Sequence, residues 1–151
     1  MIVLLQRVLE ATVHAAGAQQ ARIGAGLLGF VAFERGDAAV QLRPMLERLV
    51  RYRVFPDSTG RMGCSLKDKG GELLLVPQFT LAADTRQGLR PDFGPALGPA
   101  EGRALWEQCR LEASHLFPGT QAGVFGADMQ VALINDGPAT FWLQSGARST
   151  D

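Results

Sequence analysis

The chain has 151 residues, 46% of them hydrophobic and 20% charged, and its 15 basic and 15 acidic side chains cancel to a formal net charge of zero. Such a chain makes one globular domain with a sizeable core, and it carries no overall field that would gather nucleic acid. No apolar run approaches a membrane span, and residues 1–7 lack the basic start and long apolar region of a secretory signal.

Only His14, His115, Cys64 and Cys109 offer nitrogen or sulfur ligands. The cysteines lie far apart without C-x-x-C spacing, so they read as free thiols of a reducing, cytoplasmic compartment. No metal, no cofactor and no histidine-based triad is expected.

Residues 2–7 open as an apolar strand, and Thr12-Val13-His14-Ala15 alternates as a strand does. Ala16-Gly17-Ala18 suits a turn, which lets residues 19–23 return as a hairpin partner. Arg7 stands where the first strand loses its apolar run; it reads as a solvated strand end or as a charge that reaches a site. Glycines 24, 26 and 29 flank Leu27-Leu28, and Phe30-Val31-Ala32-Phe33 follows as a buried strand. This glycine-rich run lacks the lysine of a phosphate-binding loop, and it leads into a strand where a dinucleotide fingerprint would open a helix.

Around residues 44–52 the period changes. Met45, Leu46, Leu49 and Val50 share one face with Glu47, Arg48 and Arg51 opposite, which predicts an amphipathic helix with Pro44 in its first turn. Asp57-Ser58-Thr59-Gly60 is turn chemistry. Six basic residues (Arg48, Arg51, Arg53, Arg61, Lys67, Lys69) stand here against only Asp57 and Asp68. They read as a solvated face or as a phosphate-binding patch sufficient for a protein that touches the end of an RNA.

Leu73-Leu74-Leu75-Val76 is the central buried strand. Pro77 interrupts its ladder for want of an N–H, and Gln78, Phe79 and Thr80 follow at the strand's mouth. A rigid strand end fixes geometry while its opening admits substrate. Further on, Pro99 and Pro118-Gly119 bracket a second helix whose inner stripe is Leu105, Cys109, Ala113 and Leu116. Two last strands, residues 129–134 and 140–144, are joined by Asn135-Asp136-Gly137-Pro138, which taken alone is a turn. The tail 146–151 is polar and expected to fray.

The ensemble is more specific than its parts. Gln6-Arg7-Val8, Ile23-Gly24-Ala25-Gly26-Leu27-Leu28, Pro77-Gln78-Phe79-Thr80-Leu81-Ala82-Ala83-Asp84-Thr85, Arg90-Pro91, Ala127-Asp128-Met129-Gln130-Val131 and Asn135-Asp136-Gly137-Pro138-Ala139-Thr140-Phe141-Trp142-Leu143-Gln144 occur together and in this order. Across residues 1–145 the chain resembles the D-aminoacyl-tRNA deacylases, the freestanding chiral-proofreading hydrolases of translation.

The resemblance implies a single-domain α/β (α+β) fold, with a mixed/antiparallel, barrel-like sheet and two main helices packed against it. It implies a cytoplasmic homodimer that binds the 3′ end of aminoacyl-tRNA, without membrane and without DNA. Catalysis would centre on Gln78, Phe79 and Thr80, which match the family's Ser-Gln-Phe-Thr motif apart from Pro77 in the serine position. Gly137-Pro138 matches the family's Gly-Pro motif, held cis and inserted into the partner subunit's pocket. Arg7 and Met129 match its arginine and its pocket methionine. Related deacylases that act on L-alanyl-tRNA carry proline at the Pro77 position, although they lack the phenylalanine that Phe79 retains.

An aminoacyl ester is already activated, so its hydrolysis needs a positioned water and a stabiliser for the oxyanion. The backbone N–H groups of Phe79 and Thr80 are the candidates, with the ribose 2′-hydroxyl assisting proton transfer. The rival reading makes Thr80 a nucleophile, but no activating base accompanies it in the sequence. Glycine, having no side chain to exclude, should be accepted beside D-residues. Two other functions remain open: a related deacylase of relaxed specificity (L-Ala-tRNA), and a non-enzymatic dimeric nucleic-acid-binding module.

Overall fold

A computed structural model describes residues 1–146; the tail expected to fray lies outside them from residue 147 onward. Its first strand, β1 (Ile2–Ala15), joins in one piece the two strand signals seen at either end of it. The Ala16-Gly17 turn returns the chain as β2 (Ala18–Ile23), antiparallel to the second half of β1. β3 (Gly26–Ala32) then pairs antiparallel with the first half of β1. One edge of β1 is thereby filled by two strands in succession.

Helix α1 (Leu42–Arg51) begins two residues before Pro44, which sits in its first turn as expected. A short hairpin, β4 (Phe55–Pro56) with β5 (Met62–Cys64), and the single turn α2 (Leu66–Lys69) follow. Neither carries a periodic apolar signal long enough to be read from sequence. α2 is nonetheless well defined: Ser65 caps it by accepting from the Asp68 N–H, while Asp68 accepts from the Ser65 N–H.

The central strand, β6 (Glu72–Pro77), runs parallel to β3. Pro77 keeps its place in the register opposite Val31, and the ladder ends one step later where the Gln78 N–H donates to the Val31 carbonyl at 2.7 Å. α3 (Pro99–Leu116) and the short β7 (Gln121–Ala122), parallel to β6, complete the path β2-β1-β3-β6-β7. Of the expected stripe on α3, Leu105, Cys109 and Ala113 are buried and Leu116 packs at the edge of the core. Trp106, outside that stripe, is among the largest fully buried side chains.

The last two strand signals form one element, β8 (Met129–Gln144), antiparallel to nearly all of β1. Its two halves run in the same direction along the same partner. Asn135-Asp136-Gly137-Pro138 is therefore a bulge in a continuous strand and not a turn, and the register slips on either side of Val8 to accommodate it.

Alternation along these strands supplies two cores. Val3, Leu5, Leu27, Val31, Leu73 and Leu75 point to the helical layer of α1 and α3. Val8, Ala11, Val13, Leu28, Leu74 and Val76 point into the curl of the sheet, which Met129, Val131 and Leu133 help to fill. A sheet buried on both faces explains why β6 shows no apolar–polar alternation. The architecture is the mixed, barrel-like sheet with two main helices implied by the sequence.

β3 and β6 approach most closely at their starts. A Cβ on Gly26 would overlap the backbone carbonyl of Glu72, and neither strand can retreat without breaking its ladder. Gly26→Ala is expected to lower the free energy of unfolding by about 1–3 kcal/mol or more, measured by urea denaturation. Unchanged stability would show that the two strands separate freely there.

Candidate active site

Beyond Pro77 the chain cannot continue as a strand, because β3 ends beside it. Residues Phe79–Ala82 coil instead into a 3-10 turn, with the Leu81 N–H donating to the Gln78 carbonyl and the Ala83 N–H to the Thr80 carbonyl. The N–H groups of Phe79 and Thr80 head that turn. Neither meets an acceptor among the described residues, as is usual for the first donors of a helical turn. The two donors named from sequence are thus free at the opening of the sheet.

The Gln78 side chain folds over this opening and donates Nε2–H to Thr80 Oγ1 at 2.6 Å. Thr80 Oγ1 is engaged by an amide donor, and no carboxylate or imidazole accepts its proton among the described residues. The Phe79 ring is 55% exposed and packs against Phe93 from the loop before α3, with ring centroids 5.2 Å apart and planes inclined by 59°. That loop is closed by paired backbone bonds between Asp84 and Asp92. Arg86 donates side-chain and backbone hydrogen bonds to Asp84, which hold the Asp84 carboxyl down at about 2.

A small pocket opens beneath Gln78 and Phe79, lined by Val31, Phe33 and Pro77 from the strand ends and by Leu97, Gly102 and Phe125. Gly102 on α3 leaves room for the Phe125 ring, and Arg103 lies over that ring at 5.1 Å. Sequence reading missed Phe33, Phe93, Leu97, Gly102 and Phe125. They are apolar or lack a side chain, and they meet only where the ends of β3 and β6 pack against α3 and the loops on either side of it.

Met129 belongs to this neighbourhood. Its sulfur accepts the Val124 N–H at 3.3 Å. The same sulfur and the Pro77 ring crowd one face of Gly123, where a Cβ would lie 3.0 and 3.2 Å from them. Met129 and Pro77 therefore share the face of Gly123 that lacks a side chain.

Arg7 and Gly137-Pro138 stand elsewhere in the chain. Arg7 pairs with Leu27, four residues before the Val31 that faces Pro77, an offset of about 13 Å along the strand. The Arg7 side chain is only 11% exposed. Its Nε donates to the Asp136 carbonyl and pairs with Asp136 Oδ2, both at 3.0 Å, while Nη1 donates to the Val54 carbonyl. Asn135 Nδ2 donates back to the Arg7 carbonyl at 3.0 Å. Clamped this way, the bulge presents Gly137 and Pro138 outward, both exposed, with a cis bond between them. A Cβ on Gly137 would lie 2.7 Å from Asn135 Oδ1, so any side chain there must displace the Asn135 amide.

Among the described residues no group of three or more His, Cys, Asp or Glu side chains is placed to hold a metal ion. No helix is long and apolar enough to cross a membrane. Cys109 is buried, and burial pushes its thiol up to about 12, so it remains protonated packing material at neutral pH.

The family model described as D-Tyr-tRNA(Tyr) deacylase matches residues 4–144. A D-aminoacyl-tRNA deacylase of Alkalilimnicola ehrlichii is 53% identical over 96% of this chain and 97% of the relative. Its counterpart in Nitrosococcus oceani is 54% identical over 95% and 93%. Among solved structures, a c-Myc DNA unwinding element binding protein superposes with TM-score 0.91 at 33% identity, covering 97% of this chain and all of its own. A probable eukaryotic D-amino acid tRNA deacylase shares the fold, with TM-score 0.82 at 18% identity over 94% of this chain and 97% of the other.

The Arg7 clamp makes its own measurable contribution. Arg7→Ala removes a charged donor from two backbone carbonyls and one carboxylate, each such bond being worth about 1.5–3 kcal/mol. The variant is expected to lose at least that much stability in urea, with Arg7→Lys intermediate because it keeps the charge without the fork. An Arg7→Ala protein as stable as the parent would show that the bulge holds itself.

Proposed function

The chain belongs to the D-Tyr-tRNA(Tyr) deacylase family and is a D-aminoacyl-tRNA deacylase, and from that premise we propose how its residues carry the reaction. The observation that carries the reading is the pair of free N–H groups of Phe79 and Thr80 at the head of the turn after Pro77. They receive the oxyanion that develops when water adds to the ester carbonyl. Two preorganised donors already aimed at the place where charge develops need no reorganisation at the moment of reaction.

The new C–O bond comes from water, and the bond to the ribose 3′-oxygen breaks. The neighbouring 2′-hydroxyl passes the proton from the attacking water to the departing 3′-oxygen, so no histidine is needed. Gln78 orients the rim through its bond to Thr80, and the exposed Phe79 ring offers the terminal adenine a stacking surface. Residues 1–145 make up the deacylase domain, acting in the cytoplasm on the 3′ end of the tRNA.

Enantiomers carry identical groups, so selectivity rests on excluding one geometry. Rejection by ~1000-fold corresponds to roughly 4 kcal/mol, within reach of a steric clash against rigid backbone. Gly137-Pro138 is clamped and exposed, and the Arg7 that holds it lies about 13 Å along the sheet from its own chain's pocket, which supports its acting in the pocket of a second copy. The outer edge of β8 suits that assembly: among the described residues β8 pairs with β1 alone, and Ile134 and Trp142 are 50% and 45% exposed. Long unpaired edges with apolar flanks seek partners, and a two-fold dimer places each Gly-Pro at the other's site. Glycine, with nothing to clash, is hydrolysed as well as D-residues.

The test is deacylation of D-Tyr-, L-Tyr-, Gly- and L-Ala-tRNA side by side. Fast D-Tyr and Gly turnover with L-Tyr spared is expected, whereas equal D- and L-Tyr turnover, or none, sinks the reading. L-Ala turnover would assign Pro77 the shifted range of the proline-bearing relatives. In Gly137→Ala, which displaces the Asn135 side chain and with it the bulge, protection of L-Tyr-tRNA should weaken.

The proton route is separable from the pocket. Thr80→Ala should retain substantial activity, while an ester on the 3′-oxygen of a 2′-deoxyadenosine-terminated tRNA should react far more slowly. A dead Thr80→Ala combined with normal hydrolysis of the deoxy substrate would instead make Thr80 the nucleophile.

A further inference from the structure

We propose that the 48–69 segment is a phosphate-binding face for the tRNA acceptor stem, and that it serves the pocket of the opposite subunit; this rests on the reading of Gly137-Pro138 above. Six basic and two acidic residues give the segment a local charge of +4, so the rest of the neutral chain carries −4. Arg48, Arg51, Arg53, Arg61, Lys67 and Lys69 are all exposed. Among the described residues none of the six is ion-paired, whereas Arg22, Arg43, Arg86 and Arg110 each hold a carboxylate on the surface.

The segment's own carboxylates are engaged locally. Asp57 accepts from the Thr59 and Arg61 N–H groups and the Thr59 hydroxyl, and Asp68 accepts from the Ser65 N–H and hydroxyl. Those hydrogen bonds hold both acids below the ordinary carboxylate range. Both are spent on shaping the β4–β5 turn and capping α2. The cations are left for an external anion.

They also lie together. Lys67 and Lys69 lie on α2, which packs on β5, the strand that Arg61 immediately precedes. α2 packs against α1, whose last turn carries Arg48 and Arg51. Like charges on elements in contact add to one field wherever they lie within a Debye length of about 8 Å.

Position assigns the pocket they serve. The segment feeds into the start of β6, and Gln78 follows its end, about 20 Å away along six residues. On the other side, Arg53 adjoins Val54, whose carbonyl takes the Arg7 guanidinium that also grips Asp136. The basic face thus travels with the Gly137-Pro138 bulge and away from its own pocket. A second copy that accepts the bulge receives the basic face beside its site, where an RNA entering by its 3′ end would lay its stem.

The probe is an uncharged RNA acceptor-stem hairpin ending in CCA, titrated by fluorescence anisotropy between about 50 and 200 mM salt. Combined Arg53→Glu, Lys67→Glu and Lys69→Glu should weaken low-salt binding at least about ten-fold. The slope of log affinity against log salt should shrink by about 2–3, each lost phosphate contact removing about 0.9. The corresponding triple glutamine variant should fall between, and both should hydrolyse 3′-O-D-tyrosyladenosine, which has no stem, at the parent rate. Unchanged affinity and slope overturn the proposal, as does loss of nucleoside-ester hydrolysis in the glutamine variant. Parent protein inactive on every ester but binding the hairpin as described would overturn the functional reading and leave the phosphate face standing.

Mixed dimers decide the crossing. The charge-reversed protein and a pocket-blocked Gln78→Trp protein, each slow alone on D-Tyr-tRNA, should on random mixing regain about one quarter of the parent rate. Absence of any gain would return the face to its own subunit's pocket.

Discussion

Strand β1 is paired along both edges, but not in the same way. β8 accompanies it on one side over nearly its whole length, while β3 and then β2 share the other. The second half of β1 must therefore lead β2 round towards β6 and β7, and the sheet closes on itself around Val8, Ala11, Val13, Leu28 and Val76. Right-handed strand twist favours that curl. The outer face keeps Leu5, Leu27 and Leu75 for α1 and α3. Two cores from one sheet follow from a single doubly paired strand.

The same strand has one weak point. Between Gln6 and Val8 its ladder with β8 slips, because β8 carries extra residues there. Arg7 fills the gap. Its guanidinium replaces ladder hydrogen bonds with bonds to the Asp136 and Val54 carbonyls, and Asn135 answers with a bond to the Arg7 carbonyl. The exposed bulge is thus held from both flanks by named hydrogen bonds, which suits the steric role proposed for it. The clamp also ties the bulge to Val54 at the start of the basic β4–β5–α2 unit, so the two surfaces proposed to meet RNA are joined through one guanidinium.

At the other end of the sheet the opposite logic holds. β6 stops because Pro77 has no N–H and β3 ends beside it, and the chain turns sharply enough to leave two N–H groups without acceptors. Burying them would be costly; leaving them at an opening makes them ready for a developing anion. In the proposed reading, selection and catalysis then lie apart in one chain. Symmetry between two copies is the economical way to unite them.

Much of this was legible in the residues alone. The apolar run of β6, the period of α1, the proline-bracketed α3 and the strand-ending role of Pro77 all depend on neighbours in sequence, and local chemistry fixes them. The order of the two motifs was enough to indicate the family, and Gln78-Phe79-Thr80 to mark the strand mouth. Asn135-Asp136-Gly137-Pro138 misled as an isolated string, because turn chemistry and bulge chemistry use the same residues; only the pairing of both flanks with β1 distinguishes them. Arg7 was undecided for a similar reason, its partners Val54 and Asp136 lying 47 and 129 residues away. Phe33, Leu97, Gly102 and Phe125 gave no signal, since an apolar residue lining a pocket is written in the same letters as one filling a core. Tertiary register alone decides which of the two it is.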